Sequence, residues 1–158
     1  MNIFVLDTDV IRCAQAHVDK HCVKMILEST QLLNNALIAS DDSYVPSYKQ
    51  THKNHPASLW ASKSRDNFDW LNRLALALCS EYTYRYGKVH KCQSLITSFP
   101  ISSAIVRIPE LGLTPFALCM PDQYKVNDAV ESYRNYYRGD KAYIAKWSKR
   151  SQPDWWNK

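Results

Sequence analysis

The sequence predicts an all-α fold: a single compact helical domain with a long N-terminal helix and a central apolar helix. Three observations carry this. Glycine is scarce, at 3 of 158 residues. Val10 to Ala39 holds neither proline nor glycine and sets apolar residues at helical spacing. Ser64 to Tyr86 carries Phe68, Trp70, Leu71, Leu74, Leu76, Leu78 and Tyr82 on most of its sides, the pattern of a buried central helix. A composition that is 46% hydrophobic, with 10 Tyr and 5 Trp, argues against disorder. The length suits one domain, 1–158, in which a basic aromatic C-terminal segment, 127–158, packs on the helical body.

In chain order, residues 2–6 are an apolar run, read as a strand or an extended arm on the core. Asp7-Thr8-Asp9 supplies N-cap candidates for the long helix, which either runs on unbroken or breaks near Val18 with Asp19 capping a second segment. Residues 40–50 read as a loop. Pro56 suits a first helical turn, which puts Asn54 or His55 near the N-cap and makes an anion site of the free N–H groups, with His52 and Lys53 alongside. Gly87 closes the central helix and a third helix is expected over Lys88 to Phe99. Pro100, Pro109, Pro115 and Pro121 mark 100–125 as irregular. Asn127 or Asp128 opens a helix through Arg138, Gly139 stops it, and Asp140 starts a shorter one to Trp147. Trp155-Trp156 is expected to fold back onto the body, since two exposed tryptophans are a liability.

Net charge is +5, which suits a polyanionic partner without demanding one. The cysteines, Cys13, Cys22, Cys79, Cys92 and Cys119, are odd in number and form no C-x-x-C pair, which fits a reducing cytoplasm better than a disulfide framework. Residues 1–6 lack a basic n-region and are too short for a signal peptide or a membrane span, so no membrane partner is expected.

On a helical wheel, His17, His21, Lys24, Glu28, Gln31 and Asn35 fall in one stripe, with Lys20 at its edge. Such a stripe is either the solvated face of an amphipathic helix or the wall of a polar pocket, and the pattern leaves both open. Cys13, His17 and His21 stand at i, i+4 and i+8, but no H-E-x-x-H or carboxylate-rich pattern joins them, so neither a metal nor another cofactor is expected. The G-x-S-x-G, P-loop and G-x-G-x-x-G fingerprints are absent. Between Tyr133 and Arg150, bases interleave with aromatics: Arg134, Arg138, Lys141 and Lys146 alternate with Tyr136, Tyr137, Tyr143 and Trp147. That mixture suits either a docking helix or a nucleic-acid surface.

The order Asp19-Lys20-His21, Lys24, Glu28, Gln31, followed by Asn54-His55-Pro56 and Trp60 and by a helix ending in Glu81, Tyr82 and Arg85, resembles the pyrimidine-dimer DNA glycosylase (endonuclease V) superfamily. It is most similar to a bacterial and phage branch with the pattern Asp-Arg-Arg-x-x-Lys-x-x-x-Glu-x-x-Gln and then Asn-His-Pro-x-x-x-x-Trp. The likeness covers most of residues 2–86. It implies an all-α DNA repair fold, attack on the sugar C1′ by the N-terminal amine, a Schiff base, and assistance from a carboxylate on the first helix. Two departures stand out. The chain begins Met1-Asn2, where the small processed residue of the characterised enzymes is missing, and the position aligned with their catalytic glutamate falls near Cys22. The acid is therefore expected at Asp19 or Glu28.

The resulting expectation is an enzyme acting on nucleic acid, a DNA glycosylase-like protein with possible lyase chemistry that cleaves the N-glycosidic bond of a modified or damaged base. Asp19 and Glu28 are the candidate acid/base residues, and Lys24 or the Met1 amine the candidate nucleophile or electrostatic partner. His17, Lys20, His21, Gln31, His52, Asn54, His55, Arg134 and Arg138 are the candidate substrate contacts. The expected partner is DNA or a nucleotide, in the cytoplasm (of the host, if phage-encoded), with the oligomeric state left open. The alternative is a non-catalytic phage-type binder of DNA or of a nucleotide signal.

Overall fold

The computed structural model describes residues 1–99 and 107–157. Among them are six α-helices and no strand: α1 (Val10–Ala16), α2 (Asp19–Ser40), α3 (Pro56–Lys63), α4 (Arg65–Tyr86), α5 (Gln93–Ser98) and α6 (Ala129–Arg138). Short 3-10 turns cover Asp122–Tyr124 and Ala142–Ile144. The fold is all-α and a single compact domain. Among the described residues, no helix is long and apolar enough to cross a membrane.

A break near Val18 separates α1 from α2, and Val18 is the extended N-cap residue of α2. Asp19 is the first residue of α2 rather than its side-chain cap. His55 caps α3, its Nδ1 accepting the Ala57 N–H, with Pro56 behind it. Ser64 caps α4, and Gly87 closes it at φ +65°, a left-handed position that a Cβ would strain. Two expectations come out shorter. The third helix is confined to Gln93–Ser98, which leaves His90 ahead of it, where its Nδ1 accepts the Cys92 N–H and opens the turn. The final helix is only the Ala142–Ile144 turn, because the chain beyond it is drawn into bonds with α1 and α2. Part of the irregular stretch, 100–106, lies outside the described residues.

Helix α4 is the centre of the bundle, burying Phe68, Leu71, Leu74 and Leu78 against α1, α2 and α3. Residues 2–6 are an extended arm, not a strand. Ile3, Phe4, Val5 and Leu6 are buried, and the arm's polar groups are met by side chains. The Cys13 thiol donates to the Phe4 carbonyl at 3.3 Å, and Arg134 Nε donates to the Leu6 carbonyl at 3.0 Å. The Phe4 ring stacks on His21 at 4.4 Å and meets Tyr137 edge-on at 5.2 Å, so the arm is gripped between α2 and α6. The tail returns across α1, where Trp147 Nε1 donates to the Ala16 carbonyl at 2.9 Å and Trp156 packs on Trp147.

Candidate functional site

The buried arm carries the chain's first nitrogen to the middle of α2. Asn2 anchors it: Nδ2 donates to the Cys119 carbonyl at 2.8 Å, and Oδ1 lies 3.0 Å from the Tyr133 hydroxyl. That hydroxyl also reaches the Ala117 carbonyl and accepts the Cys119 N–H. The Asn2 backbone N–H then donates to Glu28 Oε2 at 2.8 Å. The amino group of Met1 lies 3.9 Å from the same oxygen, and Lys24 Nζ lies 3.2 Å from the other, Oε1. Glu28 is a buried carboxylate, 8% exposed, between two cationic nitrogens and one amide donor. A carboxylate so placed orients an amine, takes a proton from it or delivers one to a leaving group.

His55 stands beside this centre. Its Nδ1 accepts the Ala57 N–H, so the neutral ring carries its proton on Nε2. Partial burial lowers its pKa, the Met1 ammonium and His52 lower it further, and Glu28 opposes them. Pro56, Leu59, Trp60 and Pro115, with Ala117, wall an adjoining apolar cleft of about 570 Å³. Gln31 is half-buried a turn beyond Glu28, and Asn35, buried a turn further on, donates to Thr51 O and Ser58 Oγ. The stripe on α2 thus turns inward as a polar wall, with Lys24 at its solvent edge. Asn54 and His52 are exposed, and the His52 ring bonds Thr51 Oγ1.

The remaining candidates are elsewhere. Asp19 and Glu28 are nine residues apart on one helix, about 13 Å along the axis and on opposite faces. Asp19 accepts from Arg85 Nη1 at 3.0 Å, from the Ser148 N–H at 2.9 Å and from Ser148 Oγ at 2.7 Å. Burial raises its pKa, but the Ser148 and Arg85 bonds outweigh that and hold it below the ordinary value. Arg85, itself buried, continues the cluster to Glu81 at 2.7 Å and to the carbonyls of His17 and Gln15, and Arg150 closes on Glu81 from the tail. The arrangement is a clamp joining the ends of α1 and α4, the start of α2 and the C-terminal segment. It leaves no face of Asp19 pointed at the Glu28 centre.

His17 and His21 belong to the aromatic seat of the arm. His17 Nδ1 donates to the Cys13 carbonyl at 2.7 Å, leaving Nε2 buried and unpartnered. His21 Nδ1 bonds the Tyr137 hydroxyl at 2.7 Å. Burial first of all drives their pKa values to about 4 and about 3, so both rings are neutral at physiological pH. Arg134 is held by Leu6 O and lies 5.3 Å over the Trp155 ring, facing a cleft of about 790 Å³ that also includes Asp7, Arg12 and Arg150. Arg138 is bound to Trp155 O, Asn135 Oδ1 and Glu131. Lys20 is exposed.

Sequence reasoning missed Asn2, Cys119 and Tyr133, the residues that fix where the arm begins. The available signal was Asn2 itself, a polar residue opening an otherwise apolar run; its partners are more than a hundred residues away in sequence.

No match was found among curated proteins or among solved structures. The family model for pyrimidine dimer DNA glycosylase matches residues 1–94, the span that contains the arm, Lys24, Glu28 and His55. That match covers more than half of the chain, and the chain belongs to the pyrimidine dimer DNA glycosylase family.

Proposed function

We propose that this protein cleaves the N-glycosidic bond of a modified or damaged base in DNA and then opens the abasic strand. The Met1 amine is the nucleophile, Glu28 the acid/base and Lys24 its electrostatic partner. The observation that carries this is the buried Glu28 carboxylate, 3.9 Å from the Met1 amine and 3.2 Å from Lys24 Nζ. In this scheme Glu28 takes a proton from the Met1 ammonium, the freed lone pair attacks C1′, and the C1′–N bond breaks with its electrons going to the base. The proton lost from the amine passes through Glu28 to the departing base. Ring opening, with protonation of the ring oxygen, leaves an imine between Met1 and C1′. Loss of the C2′ proton then expels the 3′ phosphate. In this reading His55, with its proton on Nε2, and Gln31 contact the nucleotide, with His52 and Asn54 at the rim. The apolar cleft beside Pro56 offers an extruded base an open apolar surface to lie against. Asp19 is left out of the chemistry because it is bonded to Arg85 and Ser148 on the face of α2 opposite Glu28.

The test is borohydride trapping on duplexes bearing a panel of damaged or modified bases, with base release measured in parallel. A covalent adduct mapped to residue 1 is expected, lost in Glu28→Gln and in a chain carrying one glycine ahead of Met1. An adduct mapped to Lys24 would transfer the nucleophile's role to that lysine. Neither adduct nor base release across the panel would sink the proposal.

A further inference from the structure

Between α6 and the tail the chain crosses the start of α2. The Asp19 N–H donates to the Lys146 carbonyl at 2.8 Å, Ser148 bonds the Asp19 carboxylate, and the buried Trp147 is bonded to Ala16 O. These bonds hold the Ala142–Ile144 turn so that Ile144 packs on the core while Tyr143 points outward, 81% exposed. Lys141 Nζ lies 4.7 Å over the Tyr136 ring, Tyr136 stacks on Phe4 at 6.0 Å, and Phe4 stacks on His21. Lys141 therefore reaches the edge of α2 on which Lys20 and Lys24 stand one turn apart. The lowered pKa of His21 agrees: after burial, its causes are His17, Lys141 and Lys24. Among the described residues, no carboxylate lies within 4.0 Å of the ammonium of Lys20, Lys141 or Lys146.

An exposed tyrosine on a turn fixed at both ends contributes nothing to the core. Beside unneutralised lysines it combines a stacking surface with phosphate contacts, the two components of single-strand recognition. We infer that Lys20, Lys141, Tyr143 and Lys146 form a surface that holds an unpaired stretch of DNA, with the lysines on phosphates and Tyr143 stacked on a base. The inference rests on reading the Met1–Glu28 centre as one that processes DNA. The helix between Glu28 and Lys20 rises about 12 Å, between three and four nucleotides at about 3.4 Å each, with Lys24 on the way. Lys141, Tyr143 and Lys146 lie beyond the residues that the family model matches.

The experiment uses the full chain and a fluorescein-labelled oligothymidylate of about twelve nucleotides, long enough to span one such surface, with anisotropy read across a salt series. Lys20→Ala with Lys146→Ala is expected to weaken binding at least about tenfold and to reduce the slope of log K against log salt by about 0.7 per lysine. Lys91→Ala, exposed ahead of α5 and away from both clefts, serves as the control for a lost charge. Tyr143→Ala is expected to weaken binding about tenfold at an unchanged salt slope, and Tyr143→Trp to restore it. These side chains are exposed, and a thermal melt verifies that each variant is folded. Wild-type affinity in the double-lysine variant overturns the inference. So does loss with the lysines alone while Tyr143→Ala binds as wild type, which describes a generic anion surface. Wild-type trapping is scored separately. No adduct together with this binding pattern supports the surface and sinks the amine chemistry; an adduct with every variant binding normally overturns the surface alone.

Discussion

Glu28 Oε2 accepts the backbone N–H of Asn2 at 2.8 Å across 26 residues of chain, and the same oxygen lies 3.9 Å from the amino group of Met1. One carboxylate thus holds the N-terminal arm in place and faces the nitrogen at its end. Anchoring and chemistry can be separated by substitution.

Glu28→Gln keeps the shape and an oxygen for the Asn2 N–H but has no titratable proton. Base release and borohydride trapping should fall at least about a hundredfold, the scale of one general acid/base group. The circular dichroism spectrum should be unchanged. Trapping at the wild-type level would remove Glu28 from the chemistry.

Asp19→Asn is expected to act on stability. The variant removes the negative charge facing the buried Arg85 guanidinium and weakens the acceptor for Ser148. Denaturant unfolding should show a loss of about 1–3 kcal/mol, the cost of breaking a bond to a buried charged group. Trapping per folded molecule should stay close to wild type. A stable, inactive Asp19→Asn protein would return the acid role to Asp19.

Acid should loosen the seat of the arm. The folded-state values of His17 and His21, about 4 and about 3, lie below the ordinary imidazole value of 6.5. Below about pH 6.5 the unfolded chain therefore binds more protons than the folded one, so stability is full above that pH and falls as pH drops toward 4. For the fully buried His17 the loss is on the order of 3 kcal/mol by pH 4. Urea midpoints between pH 7 and 4 measure it. His17→Asn, which retains a donor for the Cys13 carbonyl, should flatten the dependence; an equally steep slope would assign the effect to other groups.

Arg138 separates packing from DNA contact. Its guanidinium bonds Trp155 O at 2.8 Å, Asn135 Oδ1 at 2.6 Å and Glu131. Arg138→Ala should free the tail and lower the unfolding free energy by about 1–2 kcal/mol. The salt slope of DNA binding should remain at the wild-type value, in contrast to Lys146→Ala. A reduced slope would make Arg138 a phosphate contact.

Local signals alone determined the helical class, the capped start at His55-Pro56 and the stop at Gly87. Each depends on residues within about one turn of one another, where capping chemistry and apolar periodicity act without the rest of the chain. The stripe on α2 was legible as a set of residues, but its direction was not. A wheel shows which side chains share a face and says nothing of what covers it. Only the packed structure decided that Phe4, Tyr133 and Tyr137 cover that face and that the arm ends at Glu28. The stripe included Glu28 and not Asp19, yet both acids stood as candidates. They parted because Arg85 on α4 and Ser148 in the tail converge on one of them, while the first residues of the chain converge on the other. The bases of the C-terminal segment divided in the same way. Arg134 and Arg138 meet carbonyls and carboxylates and become internal ties. Lys141 and Lys146 keep their charge unneutralised among the described residues because the turn between them points outward. Contacts between residues a hundred positions apart decide such roles, and no local pattern encodes which of them will form.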